Sequence, residues 1–143
     1  MNGSKILFLK TYRTRMTRMD ADAAAPDLVQ ILFAALNSRD LSALEHHLAE
    51  DAGFDFPGPG LISGRKKILL FLKILFRKFN RLTFFVERSI KDQDCACVIW
   101  SNEGRYKTGD AYRNRGITFL QFKEGKIIFL SDYFKDTSFT SEK

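Results

Sequence analysis

A chain of 143 residues, 45% hydrophobic and 28% charged, with 14 phenylalanines and 2 cysteines, has the make-up of one folded domain and leaves no room for a second full one. No apolar run approaches the roughly 18 to 20 residues that cross a bilayer, so no integral membrane association is expected; two cysteines make no disulfide scaffold and suit a reducing, cytoplasmic compartment. Of the net charge of +6, residues 1–19 supply five through Lys5, Lys10, Arg13, Arg15 and Arg18 with no acid, so the rest of the chain carries +1. The charge of the domain proper therefore does not call for a nucleic-acid partner.

Residues 1–26 read as a basic arm or leader: an organellar transit peptide, a loose arm, or upstream sequence ahead of a start at Met16 or Met19. Ala21 to Pro26 is a small-residue linker, and Asp27 stands where a helix cap is favoured. The spacing of Leu28, Ile31, Leu32, Ala35 and Leu36 predicts a helix from about Asp27 to Asn37. A second short helix follows, with Asp40 as cap and Leu41, Leu44 and Leu48 inward. Gly53 to Phe56 reads as a short strand, and Pro57-Gly58-Pro59-Gly60 as a stiff turn that lacks the lysine and preceding parallel strand of a phosphate loop. The strongest helix is predicted over Arg65 to Phe79, where Ile68, Phe71, Leu72, Leu75, Phe76 and Phe79 recur at helical spacing.

From Leu82 the period shortens to about two. Leu82 to Ile90, Cys95 to Tyr106, Tyr112 to Lys123 and Lys126 to Lys135 predict four strands joined by short connections, which make antiparallel hairpins. Helices first and a meander last give an α+β domain, with helices packed on one face of a curved sheet.

Leu32-Phe33-Ala34-Ala35-Leu36-Asn37 with Asp40-Leu41, Ala49-Glu50-Asp51-Ala52, Ser63-Gly64-Arg65, Tyr112-Arg113-Asn114-Arg115-Gly116, Glu124-Gly125-Lys126-Ile127 and Asp132-Tyr133-Phe134 follow one another in a telling order and spacing. Together they resemble the NTF2-like superfamily, and within it the SnoaL-like group related to ketosteroid isomerase and limonene epoxide hydrolase. The resemblance covers about residues 27–136, with 137–143 as a tail. It implies a cone-shaped α+β barrel, three helices on a mostly antiparallel sheet, an apolar pocket inside the cone, and a homodimer joined through the outer sheet face. It also implies that the best-known activities are disabled. Leu32, Phe56 and Thr118 stand where the isomerase pattern has its tyrosine and two acids. Of the epoxide hydrolase triad, Ile99 and Ser101 replace two members and Asp132 alone survives. The cyclase acid falls at Thr118 as well.

Gly125 fits the left-handed position of a three-residue loop, Lys123-Glu124-Gly125, which sets Phe122 opposite Lys126 and Gly116 opposite Asp132. In that register Asn114, Thr118, Leu130, Asp132 and Phe134 share a face, which the resemblance implies is the pocket face; a two-residue loop would reverse the parity. Asp132 is the preferred polar anchor, as hydrogen-bond acceptor or general base, because a carboxylate among Phe and Leu loses hydration and its pKa rises. The alternative is that Asp132 only ties strands together through Asn114 or Thr118. Phe33, Phe56, Leu72, Phe76 and Phe134 are the candidate walls, and Ser101 is carried as a pocket residue. Trp100, Arg113, Arg115, Phe119, Phe129 and Tyr133 are expected on the opposite, interface face.

No metal or cofactor is expected. His46 and His47 are adjacent, point about 100° apart, and have no third histidine to join them. Cys95 and Cys97 share a strand face and read as small buried fillers. Arg65, Lys66, Lys67, Lys73, Arg77, Lys78 and Arg81 form an acid-free stripe read as a solvated helix edge. Three functions remain: a binder of a small apolar molecule, an isomerase, cyclase or hydrolase using Asp132, and a dimeric interaction module whose pocket is filled by its own phenylalanines.

Overall fold

The computed structural model describes residues 26–138, so the readings made for residues 1–25 and for the end of the tail lie outside the described residues. The first helix, α1 (Leu28–Ser38), starts where a carboxylate satisfies its free N–H groups: Asp27 Oδ1 accepts from the Gln30 N–H at 3.1 Å. It stops at Arg39, which enters the left-handed region (φ 64°) and returns its N–H to the Ala35 carbonyl. Asp40 accepts from both the backbone N–H and the hydroxyl of Ser42, opening the short helix α2 (Ser42–His47).

Strand β1 (Leu48–Phe56) begins on the next residue, well ahead of the expected Gly53. Its first half shows no usable alternation; β6 (Lys126–Phe134) holds it instead, pairing Leu48 with Ile127 and Phe54 with Leu130 across an irregularity. The Pro57–Pro59 turn leads into β2 (Gly60–Ser63), antiparallel to β1 and too short to be legible as a strand. Helix α3 (Arg65–Phe76) buries Ile68, Leu69, Leu72 and Phe76 and ends earlier than its apolar spacing suggests. Phe79 belongs to β3 (Phe79–Asp92), where its ring stacks on Tyr106 at 4.9 Å. The remaining strands are β4 (Cys95–Tyr106) and β5 (Ala111–Lys123).

The six strands form one sheet in the order β2-β1-β6-β5-β4-β3, antiparallel throughout except for the parallel β1–β6 pair. The sheet is curved but unclosed, with β2 and β3 as its edges. Helices α1 and α3 cover its inner face: Leu28, Leu32, Leu72 and Phe76 pack with Phe54, Val98, Trp100, Leu120 and Leu130 in one buried cluster. This is the expected α+β arrangement, with the cone left open along one side.

Strict alternation along β4 sends Ala96, Val98, Trp100, Asn102 and Gly104 inward and the residues between them outward. Two expectations are corrected here. Trp100 lies in the core at 1% exposure, not on the outer face. Cys95 and Cys97 lie half-buried on the outer face as free thiols, not as core fillers, because they take the opposite parity from Trp100.

Candidate functional site

The β5–β6 hairpin decides where Asp132 points. Its loop is two residues long, Glu124-Gly125, with both residues in the left-handed region (φ 53° and 77°) and Lys123 opposite Lys126. The expected three-residue loop is therefore not the one used. A two-residue loop alone would turn Asp132 outward, yet β6 carries one extra residue: Phe122 pairs with Ile127, but Gln121 pairs with Phe129. That bulge at Ile128 restores the parity. Asp132 accordingly stands opposite Thr118, and Gly116 stands opposite Phe134 and Trp100.

Gly116 thus makes room for an indole rather than for a carboxylate. A Cβ there would lie 2.6 Å from Trp100 Cζ2 and 2.6 Å from the Tyr133 carbonyl oxygen. The seated ring donates Nε1–H to the Thr118 hydroxyl at 2.9 Å, and Thr118 donates to Asp132 Oδ1 at 2.6 Å. The direction is forced, since an indole can only donate and the hydroxyl has one proton to pass on. Among the described residues Thr118 is the one hydrogen-bond donor to this carboxylate. Burial pushes the Asp132 pKa up to about 7, and the Thr118 hydrogen bond pulls against that rise.

The hollow beside Asp132 is lined by apolar side chains from both helices and the sheet, including Leu36, Leu75, Phe54 and Phe84, and by four polar residues: Asp132, Thr118, Asn102 and Tyr112. Its volume is about 40 Å³, space for very few water molecules and far below the ~300 Å³ and more of typical ligand pockets. Aromatic rings take up the difference: Phe56 meets Phe71, Phe134 and Phe54 edge to face at 4.7, 5.2 and 5.5 Å, and Trp100 meets Phe84 and Phe134 at 5.1 and 5.6 Å.

Of the sequence candidates, Asp132, Thr118, Phe134, Phe56 and Leu72 border this hollow; Asn114, Phe33, Phe76 and Ser101 do not. Asn114 is occupied as a strand tie: Nδ2 donates to the Tyr112 hydroxyl and the Asp136 carbonyl, and Oδ1 accepts from the N–H groups of Arg115 and Asp136. Phe33 packs against Phe84 on the groove side of α1, and Phe76 lies beneath the Arg39 guanidinium at 5.7 Å. Ser101 is on the outer face, in a surface cleft with Phe85 and Arg115, because its parity opposes that of Trp100. Trp100, Asn102 and Tyr112 were missed. Pairing of Thr118 with Val98 places Trp100 and Asn102 inward, but no loop signal in the sequence sets that register.

His47 spends Nδ1 on the Ala43 carbonyl within its own helix, and no group of three metal-ligating side chains occurs among the described residues. No described helix is long and apolar enough to cross a membrane.

A search of curated proteins finds no match. Solved structures share the architecture. A candidate SnoaL-like polyketide cyclase from a Jannaschia species superposes with a TM-score of 0.73 at 17% identity, over 80% of this chain and 88% of that one. An NTF2-like protein from Anabaena variabilis gives 0.70 at 21%, over 76% and 84%. A protein with a ketosteroid isomerase-like fold from Catenulispora acidiphila, solved in complex with trimethylamine, gives 0.69 at 18%, over 77% and 86%. At these identities the likeness concerns the fold. The SnoaL-like domain family itself matches residues 29–130, from the first turn of α1 into the middle of β6. On that match, which spans most of the chain, the chain belongs to the SnoaL-like domain family, and its open helix-covered sheet is an NTF2-like fold.

Proposed function

We infer that this protein binds a small, mostly apolar molecule in the hollow, with Asp132 as its polar contact. The observation that carries this reading is the Asp132 carboxyl, drawn away from water among Phe and Leu side chains and given a single donor. Such a group costs free energy unless partnered, and a ligand hydroxyl or N–H supplies the missing hydrogen bond. The small volume sets the terms: an occupant larger than a few waters displaces the half-buried rings of Phe84 and Phe134. A structural neighbour in complex with trimethylamine supports occupancy of this architecture by small molecules.

A second reading is catalytic. A carboxyl with a pKa of about 7 is half-deprotonated at neutral pH and suited to general acid–base chemistry, in an isomerase, cyclase or hydrolase. Against it, the donors nearest Asp132 are already spent, Trp100 on Thr118 and Thr118 on Asp132 itself, so neither is available to a developing oxyanion. The tight ring packing favours a third reading, an interaction module whose hollow is permanently filled.

Trp100, the single tryptophan of the chain, borders the hollow and reports on it directly. Titration of small neutral alcohols, ketones and amines should shift its emission in the wild type, and more weakly in Asp132→Asn. Binding retained with turnover lost in that variant supports catalysis. Trp100 emission unmoved by every compound, with no small molecule carried along in native mass spectrometry, establishes the filled module instead.

The outer sheet face exposes Phe85, Ile90, Ile117 and Tyr133 beside the arginines Arg113 and Arg115. Apolar side chains interleaved with arginine suit a subunit interface, and this face is assigned to a homodimer contact. The free thiols Cys95 and Cys97 fit a reducing, cytoplasmic setting.

A further inference from the structure

Asn102 is 6% exposed, borders the hollow, and leaves its side-chain oxygen Oδ1 with no hydrogen-bond partner among the described residues. A buried acceptor in that state is rare and costly. Asn114, directly opposite on β5, makes the polar ties in this part of the sheet and has both ends of its amide engaged. The inner face at position 102 otherwise meets apolar groups and Tyr112, whose hydroxyl accepts from Asn114 and also hydrogen-bonds the Asn102 amide, leaving Oδ1 alone without a partner. The hollow therefore holds two acceptors, Asp132 and Asn102, on different strands and several residues apart along the sheet. Among the described residues no lysine or arginine lines it.

We propose that Asn102 is a second ligand contact, and that the occupant is a compact apolar molecule bearing hydrogen-bond donors, hydroxyl or amino N–H, at two separated points: one for Asn102 Oδ1 and one for the Asp132 carboxyl. This rests on the reading of the hollow as a binding site. A carboxylate or phosphate ester is disfavoured, because it brings negative charge to Asp132 wherever that carboxyl is ionised, with no lining cation among the described residues to offset it. A diketone is disfavoured, because it brings only acceptors to acceptors.

Two measurements test this. The first needs no ligand. Asn102→Leu removes the unpartnered Oδ1 together with one hydrogen bond to Tyr112, whose hydroxyl keeps its bond from Asn114, so the melting temperature of the free protein should hold; a drop of several degrees shows the amide to be structural and overturns the proposal. The second compares cyclohexane-1,4-diol, cyclohexanol and cyclohexane-1,4-dione by Trp100 emission and calorimetry. The diol should bind tightest, and Asn102→Leu should cost it about tenfold while leaving cyclohexanol nearly unchanged. Preference for the dione overturns the proposal, since the amide then presents Nδ2 to the hollow. Equal binding of all three, unaffected by Asn102→Leu, overturns it while leaving the binding site in place. Binding of none removes the site and the proposal together.

Discussion

At the scale of single residues, the chain of donors from Trp100 through Thr118 to Asp132 explains why a carboxyl tolerates an apolar wall, and it fixes a pH dependence. Unfolded, this carboxyl titrates near 3.8; folded, near 7. Between those values the native state holds a proton that the unfolded state has lost, so stability is greatest below about pH 4, falls as pH rises through about 7, and then levels off. The full difference is on the order of 4 kcal/mol. Tyr112, the other titratable group of the hollow, is pushed up to about 12, chiefly by burial, and stays neutral throughout. Thermal melts of Asp132→Asn should match the wild type near pH 4, exceed it at pH 8, and lose the slope between. A wild-type slope retained in the variant assigns the titration elsewhere. Gly116→Ala tests the seat of the indole: its new Cβ meets ring and carbonyl at 2.6 Å, the ring is held by the Trp100 to Thr118 hydrogen bond, and the Tyr133 carbonyl belongs to the backbone of β6, paired with β5. A loss of roughly 2 to 3 kcal/mol in urea denaturation is expected, with a shift in Trp100 emission.

At the scale of the element, the β5–β6 hairpin shows two local irregularities cancelling. The two-residue loop reverses the facing of β6, and the bulge at Ile128 reverses it again, so Leu130, Asp132 and Phe134 end on the helix-covered side. Deleting Ile128 should remove the second reversal, turning Asp132 and Leu130 outward and abolishing cooperative unfolding, as followed by circular dichroism. The loop itself can be improved. Glu124 holds a positive φ of 53°, which asparagine adopts more readily, and Asn-Gly suits this turn best. Glu124→Asn should stabilise the fold by about 0.5 to 1 kcal/mol, read as a higher urea midpoint at unchanged slope. Loss of stability would mean that Glu124 makes a contact worth more than the backbone relief.

At the scale of the whole molecule, helices occupy one sheet face and leave the other open. Tyr133 is 62% exposed and Ile117 39%, in a sheet whose inner face excludes water. A second copy would cover them, and the Arg115–Glu87 pair at 3.2 Å shows that charge on this face is already locally matched. Light scattering should give a dimer for the wild type and a monomer for the Ile117→Asp/Tyr133→Glu double variant. A monomeric wild type at micromolar concentration would place no interface here.

The sequence by itself determined the class of the fold, and the reason is periodicity: the change from helical spacing in Ile68, Leu72 and Phe76 to alternation after Leu82 survives any detail of packing. It also singled out Asp132, an acid embedded in an apolar strand. What it could not determine were quantities set between strands. The start of β1, the existence of β2 and the inward facing of Trp100 and Asn102 depend on hydrogen bonds to partners distant in sequence. The pairing of Asp132 with Thr118 depends on one inserted residue that no composition reveals. The size of the hollow was decided last, by how rings from α3, β1, β3, β4 and β6 interlock, because shape complementarity among apolar side chains leaves no trace in the order of the residues that produce it.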